Sequence, residues 1–330
     1  MAKTIDCVVC GTCTVDITIR PICLSIPISG DRQWEIEPLK ASVGGIVSNA
    51  GTALARLGNR VAAVTRIGRD IWQDVLRRQF VKESIGIEGL IEQQSGQTGT
   101  AAVLVDLEGE RSIGYNSGAA ASLSAVDIQS HYELFARSRV ALFGYYSMLP
   151  ALEPDLPKVL ADLQRLGCLT AMDAAGSGGC TDQLAKSLPH LNYYIPSYTE
   201  AYAQTGETDP QKILSTFRSY GARGLVGVKL GRFGAMLSPT RDEFMDVECI
   251  SPPQPVVDTT GAGDAFFAGL LTGVLRGMDL MESAQLASAT AAWCICGEGA
   301  TSNLRGWHDT MQLASGDYVV PQYCNEVSGD

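Results

Sequence analysis

Val257-Asp258-Thr259-Thr260-Gly261-Ala262-Gly263-Asp264-Ala265-Phe266-Phe267-Ala268-Gly269 decides how this chain of 330 residues is read. Phe266, Phe267, Leu270, Leu271, Val274 and Leu275 supply one apolar face, so a helix is expected over 264–276. The Gly261-Ala262-Gly263 turn leaves successive N–H groups unobstructed. Those groups and the helix dipole form an anion site. A carboxylate at the mouth of an anion hole suits phosphoryl transfer. The N–H groups offset charge on the transferred group while Asp264 takes a proton from an attacking hydroxyl. The plainer reading of the same spacing is an aspartate capping a helix after a glycine turn.

Working outward, Val43-Gly44-Gly45-Ile46-Val47-Ser48-Asn49 leads into Ala50-Gly51-Thr52-Ala53-Leu54-Ala55-Arg56-Leu57-Gly58. The glycine pair lets backbone approach a ligand. Asn49, about one helical turn further on, can both donate to and accept from vicinal hydroxyls. The small residues that follow allow the helix to pack close to a sheet; a closely packed helix with a glycine entrance would need no more. Apolar strands are expected at 6–10, 61–65, 101–106, 140–143, 169–173, 193–195 and 225–229. Helices are expected at 48–57, 71–83, 152–166, 199–204, 211–220, 264–276 and 280–294, with Gly58 and Gly221 as helix terminators. Continuous apolar strands alternating with helices indicate a parallel sheet covered on both faces.

Two stretches break this rhythm. Val15–Glu37 alternates isoleucines and prolines, and Gly99–Asn116 reads as a hairpin turning at 106–110. Paired in space they would form a small β lid over the main domain; otherwise they are surface loops. Ile22, Leu24, Ile26 and Ile28 are two apart, so one extended strand would carry them on one face. Such a face asks for closure over a ligand or for a partner.

A net charge of −11 gives no general attraction for nucleic acid or anionic lipid. No apolar run reaches the length of a membrane span, and the first six residues carry an acid and no leader pattern, so the chain is read as cytoplasmic. Among ten cysteines, Cys7, Cys10 and Cys13 repeat every third residue. In a strand that spacing points neighbours to opposite faces, which favours packing over a metal cage. No phosphate-binding G-x-x-x-x-G-K-[ST] loop occurs, because no lysine follows a glycine. His131, His190 and His308 lie outside every motif.

The segment 257–269 resembles the second signature of the ribokinase-like (PfkB) carbohydrate kinases, D-T-x-G-A-G-D, and 43–58 is similar to their first, G-G-x-x-x-N followed by A-x-x-L-A-R-L-G. Weaker likenesses are 14–16, 64–70, 113–120, 228–231 and 297–300. The resemblance implies a single domain over 1–330: a three-layer α/β sandwich with a mostly parallel central sheet and a small β lid, formed by about 15–37 and 99–116. It implies a kinase using ATP and Mg²⁺, with a monovalent cation such as K⁺, on a sugar or sugar acid. Asp264 would be the base, with Gly261, Ala262 and Gly263 as anion hole. Asp16, Gly44, Gly45 and Asn49 would hold the acceptor. Lys229, Gly231, Thr259 and Gly299 would serve the nucleotide, Glu200 a Mg²⁺ through water, and Asp258 a monovalent cation.

Two positions depart from the family. Ser197 stands where N-x-x-E is usual before Glu200, and Ala120 where an asparagine often contacts the sugar. The alternatives are a nucleoside kinase, with Trp34, Tyr115 or Phe143 as the base platform, and a non-catalytic ligand-binding relative. Members often dimerise through their lids, so a lid-to-lid homodimer is expected.

Overall fold

The computed structural model describes residues 2–26, 33–176 and 178–318. Seven strands lie parallel in the order β11 (Leu225–Lys229), β10 (Tyr193–Tyr194), β9 (Leu169–Met172), β8 (Ser138–Gly144), β1 (Ile5–Gly11), β4 (Val61–Gly68) and β5 (Gly86–Gln93). Antiparallel β12 (Ala235–Ser238) and β13 (Met245–Val247) extend one edge. The parallel strands are apolar almost throughout because helices cover both faces.

One face packs on α1 (Gly45–Arg56), α2 (Ile71–Lys82), α9 (Ala262–Arg276) and α10 (Leu280–Cys294). The other packs on α3 (Ala125–Ser130), α4 (Tyr132–Ala136), α5 (Leu156–Arg165), α6 (Thr181–Ser187), α7 (Tyr198–Thr205) and α8 (Pro210–Ser219). Helix α11 (Trp307–Ser315) follows and packs on α10. Cys7 and Cys10 fall into opposite core clusters, each fully buried, and burial pushes both thiols up. Gly58 and Gly221 end α1 and α8 with φ of 87° and 101°, in the left-handed region that glycine favours.

A second sheet has the order β3 (Lys40–Gly44), β2 (Thr14–Ile19), β6 (Gly99–Val105) and β7 (Arg111–Asn116). The expected hairpin is present: Asp106 N–H donates to Glu110 O at 3.1 Å and the Asp106 carboxylate accepts from Glu110 N–H at 2.8 Å. The expected long strand through Ile22, Leu24 and Ile26 is not. After β2 the chain turns, Ile22 is buried with its N–H on Val105 O, and Ile26 is exposed. Ile28 lies outside the described residues. The first segment instead contributes β2, while β3 begins after it, at Lys40. Only five residues long and running into the glycine pair, β3 carries no alternation long enough to read.

Side chains alternate across this sheet. Asp16, Thr18, Lys40, Ser42, Ala101, Val103, Arg111, Ile113 and Tyr115 share one face by register. Arg111 and Lys40, on that face, reach Asp258 and Glu298, beside the glycine turn that opens α9. The sheet is thereby held over the ends of α9 and α10.

Candidate active site

Helix α9 opens at Gly261, whose φ of 78° puts it in the left-handed region. A methyl there would also overlap Ala300. Gly263 lies inside the helix with ordinary φ. A Cβ on it would come 3.1 Å from Lys229 Nζ. The turn and the ammonium therefore face each other across a gap that a side chain would fill. Asp264 follows on the first helical turn and is buried, only 3% exposed. Its Oδ2 accepts from Asn49 Nδ2 at 2.9 Å and from the Tyr145 hydroxyl at 2.6 Å. Burial raises the Asp264 pKa; the hydrogen bonds from Tyr145 and Asn49 and the charge of Lys229 oppose that, and the net shift is upward.

Asn49 lies one turn into α1, so its bond to Asp264 ties the N-terminal halves of α1 and α9 together. Its Oδ1 is buried without a partner among the described residues. Gly44 and Gly45 bring the α1 entrance against β2: a methyl on Gly44 would overlap Asp16 Oδ2, and Gly45 has a φ of 77°. Asp16 Oδ1 accepts from the Thr14 hydroxyl at 2.8 Å, and burial raises its pKa. Asp16, Gly44, Gly45, Asn49 and Asp264 thus form one connected group.

Lys229, at the end of β11, pairs with Asp173 at 2.9 and 3.1 Å. Burial works against its charge, but Asp173, Glu200 and Asp264 outweigh it and raise its pKa. Burial pushes Asp173 up to about 7 despite that ammonium. We take the pair as ionised, since both Asp173 oxygens lie within hydrogen-bonding reach of Nζ. Gly231 has φ 61° and opens the turn after Lys229, where a methyl would meet nothing within 4 Å.

Glu200 and Ser197 form a capping box at the start of α7. Ser197 N–H donates to Glu200 Oε2 at 2.8 Å, and Ser197 Oγ accepts from Glu200 N–H at 3.4 Å. The serine oxygen is thus engaged with backbone. The other Glu200 oxygen accepts nothing from the described residues, which fits a metal-bound water.

Asp258 already has a cation beside it, the Arg111 guanidinium. Its carboxylate accepts from Thr260 N–H and hydroxyl at 2.9 and 2.7 Å, from Gly299 N–H at 2.9 Å and from Arg111 at 2.6 Å. Three of these donors fall on Oδ1 and only the Gly299 N–H on Oδ2, which keeps a lone-pair site. The guanidinium, which also contacts the Thr260 hydroxyl, is the cation there. Thr259 is exposed beside this cluster. Of the suggested base platforms, Phe143 is fully buried and stacked on Phe135, so it faces no ligand. Trp34 and Tyr115 stay partly exposed.

Sequence reasoning missed Tyr145, Asp173 and Arg111. Asp173 had a signal: a carboxylate at the carboxyl end of a buried parallel strand, where open α/β sheets bind ligands. Tyr145 sits one residue beyond β8, in the same position relative to the sheet. Arg111 had none, because its partner is 147 residues away.

The geometry agrees with what the chain is similar to. An uncharacterized sugar kinase of Archaeoglobus fulgidus is 30% identical over 76% of this chain and 97% of its own. The 2-dehydro-3-deoxygluconokinase of Bacillus subtilis is 25% identical over 78% and 82%. The fold matches that of Arabidopsis thaliana ribokinase complexed with ribose and ATP, with a TM-score of 0.81 at 23% identity, covering 96% of this chain and 99% of that one. A family model described as pfkB family carbohydrate kinase matches residues 4–306. With that match spanning both glycine segments and the aspartate they bring together, the chain belongs to the pfkB family of carbohydrate kinases.

Proposed function

We propose that this kinase transfers the γ-phosphoryl group of ATP to a primary alcohol of a sugar or sugar acid, with Asp264 as general base. The observation that carries the reading is the junction at Asp264: a buried carboxylate on the first turn of α9, tied to Asn49, whose helix is entered at Gly44 against Asp16. Asp16, the free Asn49 Oδ1 and the second Asp264 oxygen are three acceptors, and a vicinal polyol supplies three donors. When bound, ATP with Mg²⁺ supplies the electrophilic phosphoryl group.

The chain's own residues do the rest. Asp264 takes the proton of the acceptor hydroxyl. The N–H groups at Gly261, Ala262 and Gly263, with Lys229, hold negative charge in the gap between turn and ammonium. Glu200 holds a metal-bound water, while Gly231, Thr259 and Gly299 line the nucleotide side. The lid excludes water and limits wasteful hydrolysis. The chain acts as one kinase domain in the cytoplasm, and as a homodimer through its lids. The outer face of the lid, with half-buried Ile17, Ile19 and Leu104 and exposed Ala41 and Ala102, supports that pairing.

Asp264→Asn keeps the shape and removes the base. Loss of a general base costs about 10²–10⁴-fold in rate. We expect ADP release with a mixture of sugars and sugar acids to fall by that order while ATP affinity is kept. Turnover near that of the wild type would end the assignment.

A further inference from the structure

We propose that Tyr145 is the positioning residue of the catalytic base: its hydroxyl and the Asn49 amide both occupy Asp264 Oδ2, leaving the other oxygen to receive the acceptor's proton. The inference rests on Asp264 being the base. Its geometry does not depend on which sugar is bound.

A carboxylate has two oxygens, and a base that rotates freely presents either. Here Oδ2 accepts two hydrogen bonds, from Tyr145 at 2.6 Å and Asn49 at 2.9 Å. Oδ1 accepts none from the described residues. The two donors come from different elements, one from α1 and one from the residue after β8, so together they hold the carboxylate plane against the sheet. Tyr145 is firmly a donor. Burial and the adjacent carboxylates of Asp264 and Asp173 hold its phenol well above 10. Its chain position fits the role, because Gly144 closes β8 against Ile46 of α1 and delivers the ring beside Asn49.

The arrangement also sets the charge state of the base. A donor on Oδ2 favours the carboxylate and offsets part of the upward shift caused by burial. The other groups that Asp264 feels are Lys229 from β11, Glu200 from α7 and Asp173 after β9, with Cys294 of α10 behind it. None of these except Lys229 favours the ionised form, so Tyr145 and Asn49 carry much of that task.

The test reads the Asp264 carboxyl directly and needs no acceptor. Infrared difference spectra are taken against Asp264→Asn, so that only this carboxyl contributes, in the wild type and in Tyr145→Phe. Phenylalanine keeps the ring and its packing. A hydrogen bond to a charged group is worth about one to two pH units of carboxyl titration, so the midpoint in Tyr145→Phe should rise by that amount. Site-specific replacement of Tyr145 by 3-fluorotyrosine, a stronger donor of nearly the same shape, should move it the other way. An unchanged midpoint in both variants would reduce Tyr145 to packing and overturn the proposal, even in a folded, active enzyme. Full turnover in Asp264→Asn would remove the base itself and the proposal with it.

Discussion

Gly263→Ala should lower turnover while leaving the protein as stable or slightly more so. Gly263 sits inside α9 with ordinary helical φ, so alanine adds no backbone strain. In a helix interior alanine is favoured over glycine by up to about 1 kcal/mol. That would raise Tm by a few degrees at most, roughly 2–4 °C per kcal/mol in large domains. The added methyl, however, lies 3.1 Å from Lys229 Nζ and 3.5 Å from its Cε. Relaxing those contacts to about 3.5–4 Å displaces the ammonium by several tenths of an ångström. Asp173 restrains it at 2.9 and 3.1 Å, so the ammonium leaves either its partner or the gap. A misplacement of 1 Å in a reacting site costs about 10²-fold. Several tenths, with the methyl itself intruding where the phosphoryl group would sit, should cost at least about 10-fold. The control is Gly261→Ala. There φ is 78° and the methyl overlaps Ala300, so stability should fall together with activity. The measurement is initial-rate ADP release beside thermal melting for both variants. Wild-type turnover in Gly263→Ala, or melting losses as large as those of Gly261→Ala, would refute the reasoning.

The Asp173–Lys229 pair yields a second expectation. Removing one member of a buried pair costs about 3–5 kcal/mol, because a charge is left uncompensated, whereas replacing both with neutral groups is far milder. Asp173→Asn should lose about that much in urea denaturation, and Asp173→Asn with Lys229→Met should recover most of it without recovering turnover; equal losses in single and double variants would show that the pair is not ionised. The lid yields a third. Replacing Ile17 and Leu104, half-buried on its outer face, with aspartate should give monomers by light scattering, and a wild type already monomeric at micromolar concentration would defeat the dimer.

Much of this molecule was legible along the chain. The parallel strands announce themselves as continuous apolar runs, and β11 and α10 occupy the bounds read for them. The two glycine segments were found because turn, helix entrance and carboxylate are local events within a few residues, and local backbone chemistry is written locally. What stayed hidden was non-local or short. Strand β3 has five residues and no readable alternation, and β12 and β13 have four and three. The serine before Glu200, read as a metal-site change, is also half of a capping box, since S-x-x-E serves both readings.

The sequence by itself determined the class of sheet, the glycine turn and the aspartate that follows it, because each follows from residues that are neighbours in the chain. Only the tertiary structure decided which side chains meet that aspartate and its surroundings. Asn49 reaches it from 215 residues away and Tyr145 from 119, while Arg111 crosses from the lid to take the carboxylate of Asp258. A hydrogen bond is satisfied by whatever donor the packing of two helices, a sheet and a lid brings within 3 Å, and spacing along the chain carries no record of that distance.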